Sequence, residues 1–210
     1  MIAIIDYKAG NLTSVLRALH YLGYEAKITS NPQEVLQAER VIFPGVGAAA
    51  TAMEDLKKTG MAEVLRKIYL RKTPLLGICL GAQIIFEESE EGNTRCLGIL
   101  PGKAKAFPSK LKNPETGEVL KVPHMGWNRV KLIKPHPVFS DIHPEAEFYF
   151  VHSYYPMPKY TELILGVTDY GIRFYSAIAY RGLVAVQFHP EKSGRPGLKL
   201  LDNFCQWRPR

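Results

Sequence analysis

Cysteine is scarce in this sequence, with three residues, Cys79, Cys96 and Cys205, among 210. An odd number cannot all pair, and no two stand as Cys-x-x-Cys, so neither a disulfide framework nor a thiolate zinc site is expected. The six histidines include no pair at the spacing of a metal-binding helix or finger, and neither a metal nor a cofactor is expected. Long apolar runs are also missing. The longest weakly polar stretch, Val41 to Met53, is broken by Pro44, Gly45 and Gly47 and falls short of the roughly 18 residues that span a bilayer. Asp6 follows Met1 to Ile5 at once, without a secretory signal pattern. A cytoplasmic protein without membrane contact is expected. Lysine and arginine stand singly, with no basic run and no aromatic-basic motif, which sets nucleic acid aside. No repeat, low-complexity tract or long linker interrupts the chain, so residues 1–210 read as one domain.

With 46% hydrophobic and 22% charged residues, the composition is that of a globular protein with a sizeable core. The net charge of +7 is lopsided: residues 1–100 balance 11 basic against 11 acidic groups, and residues 101–210 carry 16 against 9. Such an excess on one half suits a solvated surface or an acidic protein partner.

Met1 to Asp6 reads as a strand, the turn Lys8-Ala9-Gly10-Asn11 follows, and Leu12, Val15, Leu16, Leu19 and Leu22 repeat with helical spacing. Ala26 to Thr29 is a second strand, and Asn31-Pro32-Gln33-Glu34 combines an N-cap, a first-turn proline and a capping-box acid. Arg40 to Phe43 and Leu75 to Ile78 are further buried strands, with two helical patterns between them and a helix expected over Ala82 to Ser89. This alternation predicts an α/β fold with a mainly parallel central sheet and helices on both faces. After Gly92 shorter β-like runs follow, at Lys103 to Phe107, Val119 to Val122, Phe148 to His152 and Leu163 to Val167, which add antiparallel strands. Ser176 to Tyr180 and Val184 to Phe188 flank Arg181-Gly182 as a hairpin, and Gly197 to Trp207 is an amphipathic closing helix.

The chemistry concentrates in Gly77-Ile78-Cys79-Leu80-Gly81-Ala82-Gln83, between a buried strand and a helix. A lone cysteine usually packs as a small apolar residue. Glycines two residues to either side instead describe a nucleophile elbow, which lifts the thiol above the sheet edge. There the helix N-terminus favours negative charge, and the Leu80 N–H faces a developing oxyanion. Val186-Gln187-Phe188-His189-Pro190-Glu191 is extended, so His189 and Glu191 share a side, and together they supply the base and the orienting carboxylate that a thiol needs. Pro44-Gly45-Val46-Gly47 ends the third strand, where an N–H of Val46 or Gly47 can complement Leu80 in an oxyanion hole. Gln83, Glu91, His152, Ser153 and Tyr154 flank the same edge, and spacing alone assigns them no role.

In these segments the sequence resembles the class I, or triad, glutamine amidotransferases. Within that family it resembles the glutaminase subunits that serve imidazole glycerol phosphate synthesis in histidine biosynthesis. The narrower likeness rests on Ile5-Asp6-Tyr7-x-x-Gly10-Asn11, Pro123-His124-Met125-Gly126-Trp127-Asn128, Phe150-Val151-His152-Ser153-Tyr154 and Lys192-Ser193. The resemblance implies a flavodoxin-like fold, with Cys79 as nucleophile, His189 as general base and acid, and Glu191 as its orienter. It implies glutamine held by Gln83, Glu91, Ser153, Tyr154 and the Gly47 backbone. It also implies contact with a β/α-barrel synthase subunit, in a heterodimer, through Asn11, Trp127, Tyr149 and Lys192. A flexible Gly-Val-Gly strand can point a carbonyl into the oxyanion position until a partner reorients it, so weak glutaminase activity of the isolated subunit is expected. Ala82 departs from the Met or His common in the family's elbow. Two rivals keep the fold and change the reaction: a glutaminase serving another acceptor, and a cysteine hydrolase of γ-glutamyl substrates. A scaffold without activity would be free to lose Cys79, His189 or Glu191, and all three are present.

Overall fold

The computed structural model describes residues 1–8 and 12–209; most of the expected turn after the first strand, Asn11 included, lies outside them. The first half alternates β1 (Ile2–Ile5), α1 (Leu12–Tyr21), β2 (Ala26–Thr29), α2 (Pro32–Gln37), β3 (Arg40–Gly45), α3 (Ala49–Lys58), α4 (Met61–Leu70), β4 (Leu75–Cys79) and α5 (Leu80–Ile84). The second half is mostly strands: β5 (Glu88–Ser89), β6 (Thr94–Arg95), β7 (Gly102–Ala106), β8 (His124–Arg129), β9 (Lys131–Leu132), β10 (Glu147–His152), β11 (Tyr154–Pro158), β12 (Ile164–Tyr170), β13 (Ile172–Tyr180) and β14 (Leu183–Val186), closed by α6 (Gly194–Gln206).

The main sheet runs β2-β1-β3-β4-β14-β13-β12-β9. Strands β2, β1, β3, β4 and β14 are parallel, and β13, β12 and β9 continue the sheet antiparallel. The order 2-1-3-4 is that of a flavodoxin-like doubly wound sheet, whose sites form at the carboxyl ends of the strands. Side-chain alternation assigns the helices. Ile2, Ile4, Ile42, Leu76 and Val184 point to the face covered by α1 and α6. Ala3, Ile5, Val41, Phe43, Leu75 and Ala185 point to the face covered by α2, α3 and α4. Two smaller layers, β11-β7-β5-β6 and the ribbon β10-β8, pack beside this sheet.

Four expectations need correction. The helix read over Ala82 to Ser89 is five residues long and begins at Leu80, and the chain then enters β5. The loop after β6 intervenes: N–H groups of Leu97, Ile99 and Gly98 donate to the carbonyls of Ile84, Ile85 and Phe86, occupying acceptors that a longer helix would use. Val119 to Val122 forms no strand beyond a single bridge from Val119 to Lys112, and both valines are exposed, so no buried face rewards pairing. The last hairpin strand stops at Val186: the Gln187 N–H still donates to Ser176 O of β13, but the His189 N–H turns away to Tyr149 O of β10. The closing helix starts three residues early, at Gly194.

Candidate active site

β4 runs straight into α5 at Cys79, whose backbone sits at φ 54, ψ −108, a region a Cβ makes strained. Three glycines make the turn possible. A Cβ on Gly81 would overlap the Phe43 carbonyl oxygen, and one on Gly77 would lie 3.1 Å from the Gly81 oxygen. Gly45, the register partner of Cys79, leaves room for the Tyr7 hydroxyl and for Leu80. Cys79 is thus raised at a turn where α5 passes too close to β3 and β4 for a larger residue at these three positions.

His189 follows β14, which pairs with β4 through Val186 and Ile78. Neighbouring strands thus bring together two side chains far apart in the chain. His189 Nδ1 stands 2.8 Å from Glu191 Oε1, and both side chains are almost fully buried. A carboxylate there accepts the Nδ1 proton, which leaves Nε2 as the nitrogen available to the thiol. Nε2 is buried without an aligned hydrogen bond. Burial pushes the imidazolium down, but the Cys79 thiolate and the Glu191 carboxylate outweigh it and hold His189 up at about 10. Backbone bonds fix the histidine in turn. Its N–H donates to Tyr149 O at 2.9 Å, and Ser193 Oγ donates to its carbonyl at 2.6 Å and accepts the Tyr149 N–H at 2.9 Å.

One cleft of about 310 Å³ gathers Val46, Gly47, Cys79, Leu80, Gln83, Glu91, Ser153, Tyr154 and His189, with Pro123, Val151 and His152 completing its wall. A larger cleft of about 650 Å³ over β8, β9 and β12 contains none of these residues. Val46 and Gly47 are exposed at the rim, and Gly47 sits at φ 94 with open space on its Cβ side. Glu91 lines the cleft while its Oε2 accepts the Ala49 N–H at 2.8 Å, capping α3. Gln83 also lines it, but its amide nitrogen is already committed, to Tyr154 O at 3.0 Å and Gln187 Oε1 at 3.0 Å. Ala82 is fully buried in the α5 turn.

Residues without an assigned role in the sequence reading complete the frame. Gln187 is fully buried, and its Nε2 donates weakly to Cys79 Sγ at 3.7 Å. Its position two residues before His189 in an extended segment was the available signal. His124 and His152, opposed in the β8–β10 ribbon, are buried on its inner face. On the outer face Trp127 opposes Tyr149 with ring centroids 5.9 Å apart, and Met125 and Trp127 are exposed. Lys192 is exposed just beyond the triad segment.

The sequence signature of the family Glutamine amidotransferase class-I matches residues 3–207. The imidazole glycerol phosphate synthase subunit HisH of Maridesulfovibrio salexigens is 52% identical over 207 residues, covering 99% of this chain and 97% of that protein. The subunit HisH of Dehalococcoides mccartyi is 50% identical over 205 residues, covering 97% of this chain and 96% of that protein. Among solved structures, PurLQS from Thermotoga maritima superposes with a TM-score of 0.72 at 15% identity, over 98% of this chain and 97% of that one. A structure described as a glutamine amidotransferase gives 0.72 at 17% identity, over 98% of this chain and 100% of that one. At such identities the structural likeness concerns the fold.

Proposed function

The chain belongs to the class I glutamine amidotransferases, and from that premise we propose that it is the glutaminase subunit of an imidazole glycerol phosphate synthase. It acts as a single amidotransferase domain in the cytoplasm, bound to a β/α-barrel cyclase subunit as a heterodimer. The observation that carries this reading is that Cys79 and His189, the latter bonded to Glu191, face one cleft at the carboxyl edge of the parallel strands, together with Gly47 and Leu80. Near-full-length identity of about half to relatives named as HisH subunits supports the choice of acceptor.

The groups dictate the steps. The Cys79 thiolate attacks the γ-carboxamide carbon of glutamine, and backbone N–H groups of Leu80 and of the Val46–Gly47 segment stabilise the oxyanion. His189, oriented by Glu191, gives its Nε2 proton to the departing nitrogen, which leaves as ammonia. His189 Nε2 then takes a proton from water, whose oxygen attacks the thioester carbon; the C–S bond breaks, freeing glutamate and returning the Cys79 thiolate. Glu91, Ser153 and Tyr154 line the substrate's place. Ammonia released to water would mostly become ammonium and lose its nucleophilicity, so it passes directly to the barrel. There it completes imidazole glycerol phosphate and aminoimidazole carboxamide ribotide. Trp127, Tyr149 and Lys192 belong to the face that meets the barrel.

The test uses the assembled complex. Cys79→Ser is expected to abolish glutamine-dependent synthesis while ammonia-dependent synthesis continues at the wild-type rate. Loss of both rates in an intact complex would contradict this division of labour.

A further inference from the structure

We propose that His124 and His152 are positioning residues of the glutaminase reaction: neutral imidazoles in one directed hydrogen-bond chain, they fix the Tyr154 carbonyl and with it a wall of the glutamine cleft. The inference deepens the glutaminase reading and rests on it.

The direction of the chain follows from its last acceptor. Tyr154 O can only accept, so His152 Nδ1, 2.8 Å away, must carry the proton. In a neutral ring its Nε2 is then an acceptor, and His124 Nδ1 at 3.0 Å must donate to it. His124 Nε2 is thereby left as an acceptor, facing the amide nitrogen of Asn128 at 3.4 Å. The Asn128 amide is itself oriented, since Nδ2 donates to Asp169 O at 3.0 Å and Oδ1 accepts the Arg129 N–H at 2.8 Å. Every link agrees with the next. A second proton on either ring would set two donors face to face. Burial opposes that proton as well, pushing His124 down to about 4 and His152 to about 3, the latter helped by His124 and His189 and resisted by the Tyr154 carbonyl.

The chain continues to the sulfur. Tyr154 O also accepts from Gln83 Nε2, Gln83 donates to Gln187 Oε1, and Gln187 Nε2 reaches Cys79 Sγ. His124 is clamped between the rings of Phe150, 4.9 Å away, and Tyr170, 4.0 Å away, both within 25° of parallel. The opposite face of the same ribbon carries Trp127 and Tyr149. A partner pressing there acts on a ribbon whose inner face is bonded, link by link, to the nucleophile's surroundings.

Nitrogen-15 NMR of the complex and glutamine kinetics together test the proposal. Both rings are expected as Nδ1–H tautomers, and an Nε2–H tautomer in either would overturn it. His124→Phe keeps a ring between Phe150 and Tyr170 but has no donor, and it is expected to lower kcat/KM for glutamine about tenfold, the scale of one buried hydrogen bond. His124→Asn, which places an amide nitrogen near the Nδ1 position, is expected to recover most of that loss. Unchanged kinetics in His124→Phe, or an Asn variant as impaired as the Phe variant with the same melting temperature, would overturn it. If His124→Phe does not fold, the tautomers and the Asn variant still decide. Failure of the underlying reading would look different: the wild-type complex would not use glutamine at all.

Discussion

Cys79 holds a side chain where the backbone would prefer none, at φ 54, ψ −108. Comparing Cys79→Gly with Cys79→Ala isolates that strain, since both variants lack the thiol. Glycine ordinarily destabilises a protein relative to alanine. Here the order is expected to reverse, with the Gly variant more stable by about 1 kcal/mol in urea unfolding; the ordinary order would show that the elbow is unstrained. His189 makes a second prediction. Its folded value near 10 lies above the ordinary 6.5, so the folded state binds the proton more tightly than the unfolded chain. The resulting stability is fully present below about pH 6.5 and is lost as pH rises through about 10. Against His189→Gln, the wild-type chain is expected to lose more than ~1 kcal/mol of unfolding free energy across that window. A constant difference between the two would contradict the ion pair.

At the scale of elements, the glycine-rich end of β3 and the elbow depend on each other. Gly81→Ala drives a methyl into the Phe43 carbonyl oxygen, so α5 must shift, and glutamine hydrolysis is expected to fall at least about 100-fold through loss of oxyanion alignment. Wild-type turnover in that variant would mean that the helix and β3 are not in register during catalysis. The parallel strands and the elbow were legible because burial on both faces writes continuous apolar runs, as in Leu75-Leu76-Gly77-Ile78, and because close approach demands glycine at fixed offsets. The helix over Ala82 to Ser89 was misread because its pattern is apolar whichever way the chain turns, and only the distant 97–99 loop decides the turn. β8 and β11 were not read as strands at all. His124-Met125-Gly126-Trp127 alternates, but its outer face carries large exposed apolar groups in place of polar ones. Gln187 and the histidine pair escaped assignment because a polar residue in an apolar segment has meaning only once its partner is known, and those partners lie 28 and 104 residues away.

Across the whole molecule, the second half of the chain returns to finish a site begun in the first. β14 inserts beside β4 and delivers His189 to Cys79, while β10 holds His189 by its backbone and brings Val151 to the thiol. That second half also carries the whole excess of positive charge. If an acidic barrel face receives it, association with the cyclase subunit weakens steeply between low and physiological salt; a salt-independent dissociation constant would exclude the charge account. The claim on which all this depends is that Cys79 alone attacks glutamine and does so with His189. Peptide mapping after exposure of the complex to an electrophilic glutamine analogue tests it most directly. The account predicts label on Cys79, sharply slowed in His189→Ala and absent from Cys96 and Cys205. Label on either of those cysteines, or an undiminished rate without His189, would contradict it.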